Sequence, residues 1–212
     1  MTVGLEGRAR IGAWPNAPLV ATTTAAVMRS GEAIPLHVGR WFAEPSVAEH
    51  DVLAHALAPV LDVGCGPARH TLALAARGVD TLGLDVSSWA VRAARHRGAS
   101  VVQRDVFGAV PDEGTWGTAL LLDGNVGIGG DPVRLLERVR RLLRPGGRAL
   151  VELGAPGSRT RSFLARIEGA DATWFPWASV AADDIVWLGF AAGLRPDRAW
   201  SAEGRWFARL DR

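Results

Sequence analysis

The sequence predicts an α/β domain centred on a doubly wound, mostly parallel β-sheet. Three observations lead there. From Pro59 onward, short apolar runs alternate with amphipathic stretches, the pattern of successive βαβ units. The amphipathic stretches close on glycine or proline, as helix ends do. A glycine-rich turn, Gly64-Cys65-Gly66, joins the first apolar run to the first helix, where open α/β sheets turn backbone N–H groups toward a ligand. With 212 residues, 48% of them hydrophobic, the chain can hold such a core without a disulfide or metal staple.

The elements follow in order. Residues 1–58 read as an N-terminal helical cap segment, with helices at 17–30 and 46–57 and an aperiodic stretch, 35–42, between them. Ser46 caps the second helix behind Pro45. The main domain, 59–212, begins with a strand at 60–63, and further buried strands are expected at 81–86, 100–103, 118–122 and 148–153. Helices fit the intervals 68–77, 88–97 and 132–143, the last ending before Pro145-Gly146-Gly147. Beyond them, 162–167 and 173–177 read as extra strands or a hairpin and 183–192 as a helix. Strands at 195–201 and 205–210, separated by Ala202-Glu203-Gly204, form a closing antiparallel pair.

Composition narrows the function classes. One cysteine, Cys65, excludes an internal disulfide, a dithiol redox pair and a four-thiolate zinc site. The chain has no lysine and no tyrosine, so its 24 basic side chains are all arginine, and a formal charge of +2 leaves no electrostatic footprint for nucleic acid. The pI of 9.8 reflects how few groups titrate above neutrality rather than a strongly basic surface. No run approaches the ~20 apolar residues of a membrane span. Residues 17–28, behind Arg8 and Arg10, carry three threonines and no small-residue cleavage site, so they read as an amphipathic helix rather than an export signal, and the expected location is the cytoplasm. None of the five histidines forms an i, i+4 pair, and no metal is expected. The oligomeric state is left open.

The informative segment is Val60-Leu-Asp-Val-Gly-Cys-Gly-Pro-Ala-Arg69. A dinucleotide fingerprint needs a small residue at position 69, where this chain has Arg69, which counts against a nicotinamide-dependent oxidoreductase, the rival enzyme reading. The segment resembles instead the first motif of class I S-adenosylmethionine-dependent methyltransferases. Leu82-Gly-Leu-Asp-Val-Ser87, Gln103-Arg-Asp-Val-Phe107, Leu120-Leu-Leu-Asp-Gly-Asn125 and Leu142-Leu-Arg-Pro-Gly-Gly-Arg148 follow in the order of that family's later motifs.

The resemblance implies a seven-stranded Rossmann-like sheet, S-adenosylmethionine as cofactor, and methyl transfer to a small molecule; a non-catalytic S-adenosylmethionine-binding module is the other alternative. It places Gly64, Cys65 and Gly66 against the cofactor, Asp85 on both ribose hydroxyls with Val86 beside it, and Asp105 with Val106 at the adenine. Ala68 stands where many members carry a third glycine, and the Pro-Pro-aromatic motif of enzymes that methylate nucleic-acid amino groups is missing.

Asp62 either positions the cofactor's amino group or holds the glycine loop through backbone N–H groups. Asp123 and Asn125 either approach the transferring methyl or stabilise the turn after the fourth strand. Of Arg69 and His70, at least one is expected on exposed helix surface. Cys65, at a helix N-terminus, is in a setting that lowers a thiol pKa, but with no His partner inferable from spacing, small-residue packing is the preferred reading over nucleophilic catalysis. His37 is the nominated base, against a structural role, and Trp41, Trp174 and Trp177 the nominated walls of an acceptor pocket, against simple core packing.

Overall fold

The computed structural model describes residues 24–167 and 173–212. In chain order they form β1 (Thr24–Met28), β2 (Ala33–Leu36), α1 (Val38–Phe42), α2 (Val47–Ala54), β3 (Val60–Val63) and α3 (Arg69–Ala75). Next come β4 (Thr81–Asp85), α4 (Ser88–His96), β5 (Val101–Gln103), β6 (Trp116–Leu121), α5 (Pro132–Leu142) and β7 (Leu143–Leu153). The chain finishes with β8 (Arg161–Ile167), β9 (Phe175–Ser179), α6 (Ile185–Ala191), β10 (Arg195–Ala202) and β11 (Arg205–Asp211).

Seven strands form the expected sheet, in the order β10-β11-β7-β6-β3-β4-β5. β7, β6, β3, β4 and β5 pair parallel, whereas β11 runs antiparallel between β7 and β10. Alternate side chains divide between the two faces, as the period-two pleat requires. Leu61, Ala119, Leu121, Val151 and Leu210 pack with Leu135, Leu136 and Val139 of α5 and Leu188 of α6. Val60, Leu120, Leu150 and Phe207 pack on the opposite face with Val52 and Leu53 of α2 and Leu74 of α3. The helices start at side-chain caps where the sequence offers them. Ser46 and Glu49 form a capping box on α2, Ser87 accepts from the Ala90 N–H on α4, and Asp131 accepts from the Arg134 N–H on α5.

A second sheet, β2-β1-β8-β9, is antiparallel throughout. It corrects the helix expected over 17–30: residues 24–28 are a strand, and 17–23 lie outside the described residues. Alternation explains the difference, since Ala26 and Met28 are buried while Ala25 and Val27 are half-buried, a two-residue period that the small alanines conceal in the sequence. The extra strands expected at 162–167 and 173–177 exist as β8 and β9 and pair from Arg161↔Ser179 to Ala165↔Phe175. The cap is thus assembled from residues before β3 and after β7 together, and its described N-terminal part mixes strands with helices.

This cap lies over the carboxyl end of the parallel strands, against the loop after β6. Gly127 and Gly130 of that loop meet β9 so closely that an added Cβ at Gly127 would stand 1.9 Å from the Ala178 carbonyl oxygen and one at Gly130 would stand 2.9 Å from Pro176 Cβ.

Candidate active site

The parallel strands stop at a common edge and deliver their next residues to one place. After β3, Gly64 adopts a φ of +73° and would bring a Cβ to 2.8 Å from Asn125 Nδ2, so no side chain is accommodated there. The reason is Asn125, whose amide donates to the carbonyls of Val63 (2.9 Å) and Gly64 (3.0 Å). Both amide hydrogens are thereby used, leaving Oδ1 to accept. Asn125 ties the loop after β6 to the glycine turn, which supports the turn-stabilising alternative.

Asp85, at the end of β4, accepts from the Gly66 N–H at 2.9 Å and from the Ser87 N–H at 2.8 Å, one on each carboxylate oxygen. Each oxygen keeps a further lone pair, so a fixed carboxylate can bond two neighbouring hydroxyls. Burial, and to a lesser degree the nearby Asp62 carboxylate, push its pKa up, with the backbone N–H groups of Ser87, Gly66 and Val86 opposing. After β5, Asp105 accepts from the Phe107 N–H at 2.9 Å through Oδ1.

Two cavities of about 360 and 80 Å³ meet along this edge and share Gly64, Asp85, Asn125, Phe175 and Trp177 in their walls. The smaller adds Val86, Asp105, Val106 and Ile128, an apolar slot with a carboxylate at its rim. The larger runs under the cap sheet between Cys65 and Gly66 on one side and Trp41, Leu36, Phe163 and Trp177 on the other.

One wall of the larger cavity is ionic. Arg69 is 4% exposed and donates to Glu49 Oε2 (2.8 Å) and to both oxygens of Asp123 (2.7 Å each). Arg205 donates to Glu152 at 2.8 and 2.6 Å and lies 2.7 Å from Glu49, which Arg40 also reaches at 3.1 Å. Glu49 is fully buried; although burial raises its pKa, His70, the Ser46 N–H, Arg205 and Arg69 together bring it well below the usual carboxylate range. Glu49, His70 and Asp123 come close enough to suggest a cation site, but Arg69 lies within hydrogen-bond distance of Glu49 and Asp123 and is the cation there.

The structure therefore brings together Gly64, Cys65, Gly66, Asp85, Val86, Asp105, Val106, Asp123, Asn125, Trp41 and Trp177. Asp62 stays behind them, 1% exposed, accepting from Thr71 Oγ1 at 2.8 Å and bordering neither cavity. His37 is exposed at the start of α1 and also borders neither cavity, so the nominated base is not at the site. Trp174 is exposed, with the Arg166 guanidinium 5.3 Å from its ring centre, and is no wall of the pocket. Arg69 and His70 are both buried, against the expectation that one would face solvent. The Cys65 thiol is pushed up well above its ordinary value by burial and by the nearby Asp62 and Asp85 carboxylates, which overrides any lowering by the helix N-terminus. Sequence reasoning missed Glu49, Glu152 and Arg205, as well as Phe163 and Phe175; the alternation in β8 and β9 was the available signal for the last two.

Known proteins bear on this arrangement. Residues 60–147 match the family model described as a methyltransferase domain. A trans-aconitate 2-methyltransferase of Paracidovorax citrulli is 29% identical over 133 residues, which are 59% of this chain and 51% of that protein, so the chain spans about half the length of this curated relative. A Bacteroides fragilis S-adenosylmethionine-dependent methyltransferase in complex with S-adenosylhomocysteine superposes with a TM-score of 0.75 at 22% identity, over 90% of this chain and 87% of that one. The Burkholderia thailandensis 1,6-didemethyltoxoflavin N1-methyltransferase, bound to 1,6-didemethyltoxoflavin and S-adenosylhomocysteine, gives 0.59 at 20% identity over 83% of each chain.

Proposed function

We propose that this chain, which has the class I methyltransferase fold and matches the methyltransferase domain model over residues 60–147, transfers the methyl group of S-adenosylmethionine to a small-molecule acceptor. The observation that carries the reading is the Asp85 carboxylate, held at the junction of two cavities by the Gly66 and Ser87 N–H groups. Its remaining lone pairs fit the vicinal hydroxyls of a ribose. The slot between Val86, Val106 and Ile128 fits a flat base, with the free oxygen of Asp105 as acceptor for an amino group. Gly64 and Gly66 keep the turn free of side chains beside the larger cavity.

When bound, S-adenosylmethionine supplies an electrophilic methyl on a positively charged sulfur. The protein's share is proximity, orientation and exclusion of water. Asp85 fixes the nucleoside end, Asn125 locks the glycine turn to the loop after β6, and the cap sheet closes the larger cavity from above. Arg69 opposes a dinucleotide in the same place, because its side chain is committed to Glu49 and Asp123 where a pyrophosphate turn needs a small residue.

The test is calorimetry with S-adenosylhomocysteine and with NADH. Binding of the first and not the second is expected; NADH binding without S-adenosylhomocysteine binding would reverse the assignment. The small-molecule acceptor is supported by a larger cavity of about 360 Å³ that is covered by the cap sheet, a volume within the range of small-ligand pockets.

A further inference from the structure

We infer that the acceptor is a neutral, planar heteroaromatic base that attacks through a ring nitrogen carrying no proton, and that the cavity is built to hold the methylated cation this base becomes. The inference rests on the proposed methyl transfer and names the substrate class of that same site.

The first support is which groups can take a proton. The chain has no lysine, no tyrosine and five histidines. His37, His50 and His96 are exposed, His55 packs edge-on against Trp200, and the buried His70 faces Glu49; none borders either cavity. Among the described residues, the acidic groups bordering the larger cavity are Asp85, Asp123 and Glu152. Asp85 has its remaining lone pairs assigned to the ribose hydroxyls, Asp123 is paired with Arg69, and Glu152 is paired with Arg205 and the Asp123 N–H. An alcohol or phenol acceptor needs a base within hydrogen-bond reach to develop its nucleophile. An sp² ring nitrogen needs none, because its lone pair is already free at neutral pH.

The second support is shape and surface. Ile34, Leu36, Trp41, Phe163, Phe175 and Trp177 border the larger cavity, whose mostly aliphatic apolar lining thus includes aromatic faces on which a flat ring system can stack.

Charge is the third support. In the ionic wall three carboxylates (Glu49, Asp123 and Glu152) balance three guanidiniums (Arg40, Arg69 and Arg205), and Asp85, which borders the same cavity and is held by backbone N–H groups, adds one carboxylate in excess. This excess disfavours an anionic acceptor and accommodates a cation, which aromatic faces also attract.

The transfer balances without a proton. The ring nitrogen's lone pair forms the new N–C bond, the S–C bond breaks with its electron pair going to sulfur, and the positive charge passes from the sulfonium to the ring.

The test is calorimetry on protein saturated with S-adenosylhomocysteine, titrated separately with quinoline, N-methylquinolinium and 2-naphthoate, three two-ring probes of similar size. Quinoline and N-methylquinolinium should bind, with 2-naphthoate at least about tenfold weaker than either. Trp177→Ala and Phe163→Ala should each weaken quinoline by about fivefold or more while S-adenosylhomocysteine affinity stays within about threefold. If S-adenosylhomocysteine itself fails to bind, the methyl-transfer reading falls. If it binds but quinoline does not, or 2-naphthoate binds as tightly as quinoline, the methyl-transfer reading stands and the inferred acceptor class is wrong.

Discussion

Asp85 illustrates how one side chain serves both the fold and the proposed ligand. The Gly66 and Ser87 N–H groups fix its plane, so its free lone pairs are aimed before any hydroxyl arrives. Asp85→Ala removes two charge-assisted bonds to the ribose and is expected to cost ~3 kcal/mol or more, roughly a hundredfold in S-adenosylhomocysteine affinity. Asp85→Asn should be nearly as damaging, because the amide turns N–H groups toward a backbone N–H that already donates there. The pH dependence has a definite sign. Burial raises this pKa, so the affinity declines on acidification at a higher pH than an ordinary aspartate would produce, and a flat calorimetric profile down through the carboxylate range would contradict the role. Gly64 was legible in the sequence as a turn glycine between a strand and a helix, and Asp85 and Asp105 through the resemblance of their strand-end motifs to those of class I methyltransferases. The placement of His37 was not, since nothing in an aperiodic stretch says which way a side chain faces.

At the scale of elements, the cap sheet decides the proposed acceptor side. It packs on the main domain through the contact of β9 with the loop after β6, where Gly127 leaves no room for a methyl group beside the Ala178 carbonyl. Gly127→Ala should therefore push β9 outward, costing about 1–3 kcal/mol of stability and opening the wall that Trp177 and Phe175 supply. Thermal unfolding and quinoline titration read the two effects separately. Unchanged values in both would mean that the cap yields freely and does not shape the pocket. The central sheet could be read in advance, because apolar runs between glycine and proline signals mark buried parallel strands. β1 could not, since its inward residues Ala26 and Met28 alternate with Ala25 and Val27, and only pairing with β2 and β8 separates a strand from a helix here.

Across the whole molecule, Glu49 joins parts that are distant in the chain. Carried by α2, it meets Arg69 at the start of α3 and Arg205 on β11, while those two arginines reach on to Asp123 and Glu152. Local periodicity cannot reveal such a cluster, because its members come from α2, α3, the loop after β6, β7 and β11 and meet only in the folded chain. Glu49→Gln keeps the shape and removes the charge at the centre. With Arg69 and Arg205 each retaining one carboxylate, the cost at neutral pH is expected near the low end for a broken buried pair, about 3 kcal/mol, or roughly 6–12 °C in Tm. The dependence on pH follows from the lowered pKa of Glu49 in the folded protein. A carboxylate whose folded pKa lies below its unfolded value contributes stability that is fully present above the unfolded value, ~4.3, and is lost as pH falls toward the folded one. The gap between wild type and Glu49→Gln should accordingly be constant from neutral pH down to about pH 5, then narrow by ~1.4 kcal/mol for each further pH unit. Thermal unfolding of the two proteins across this range measures the gap directly. A difference of less than about 2 °C at neutral pH, or a gap that widens on acidification, would show that Glu49 is not the charge on which the cluster depends.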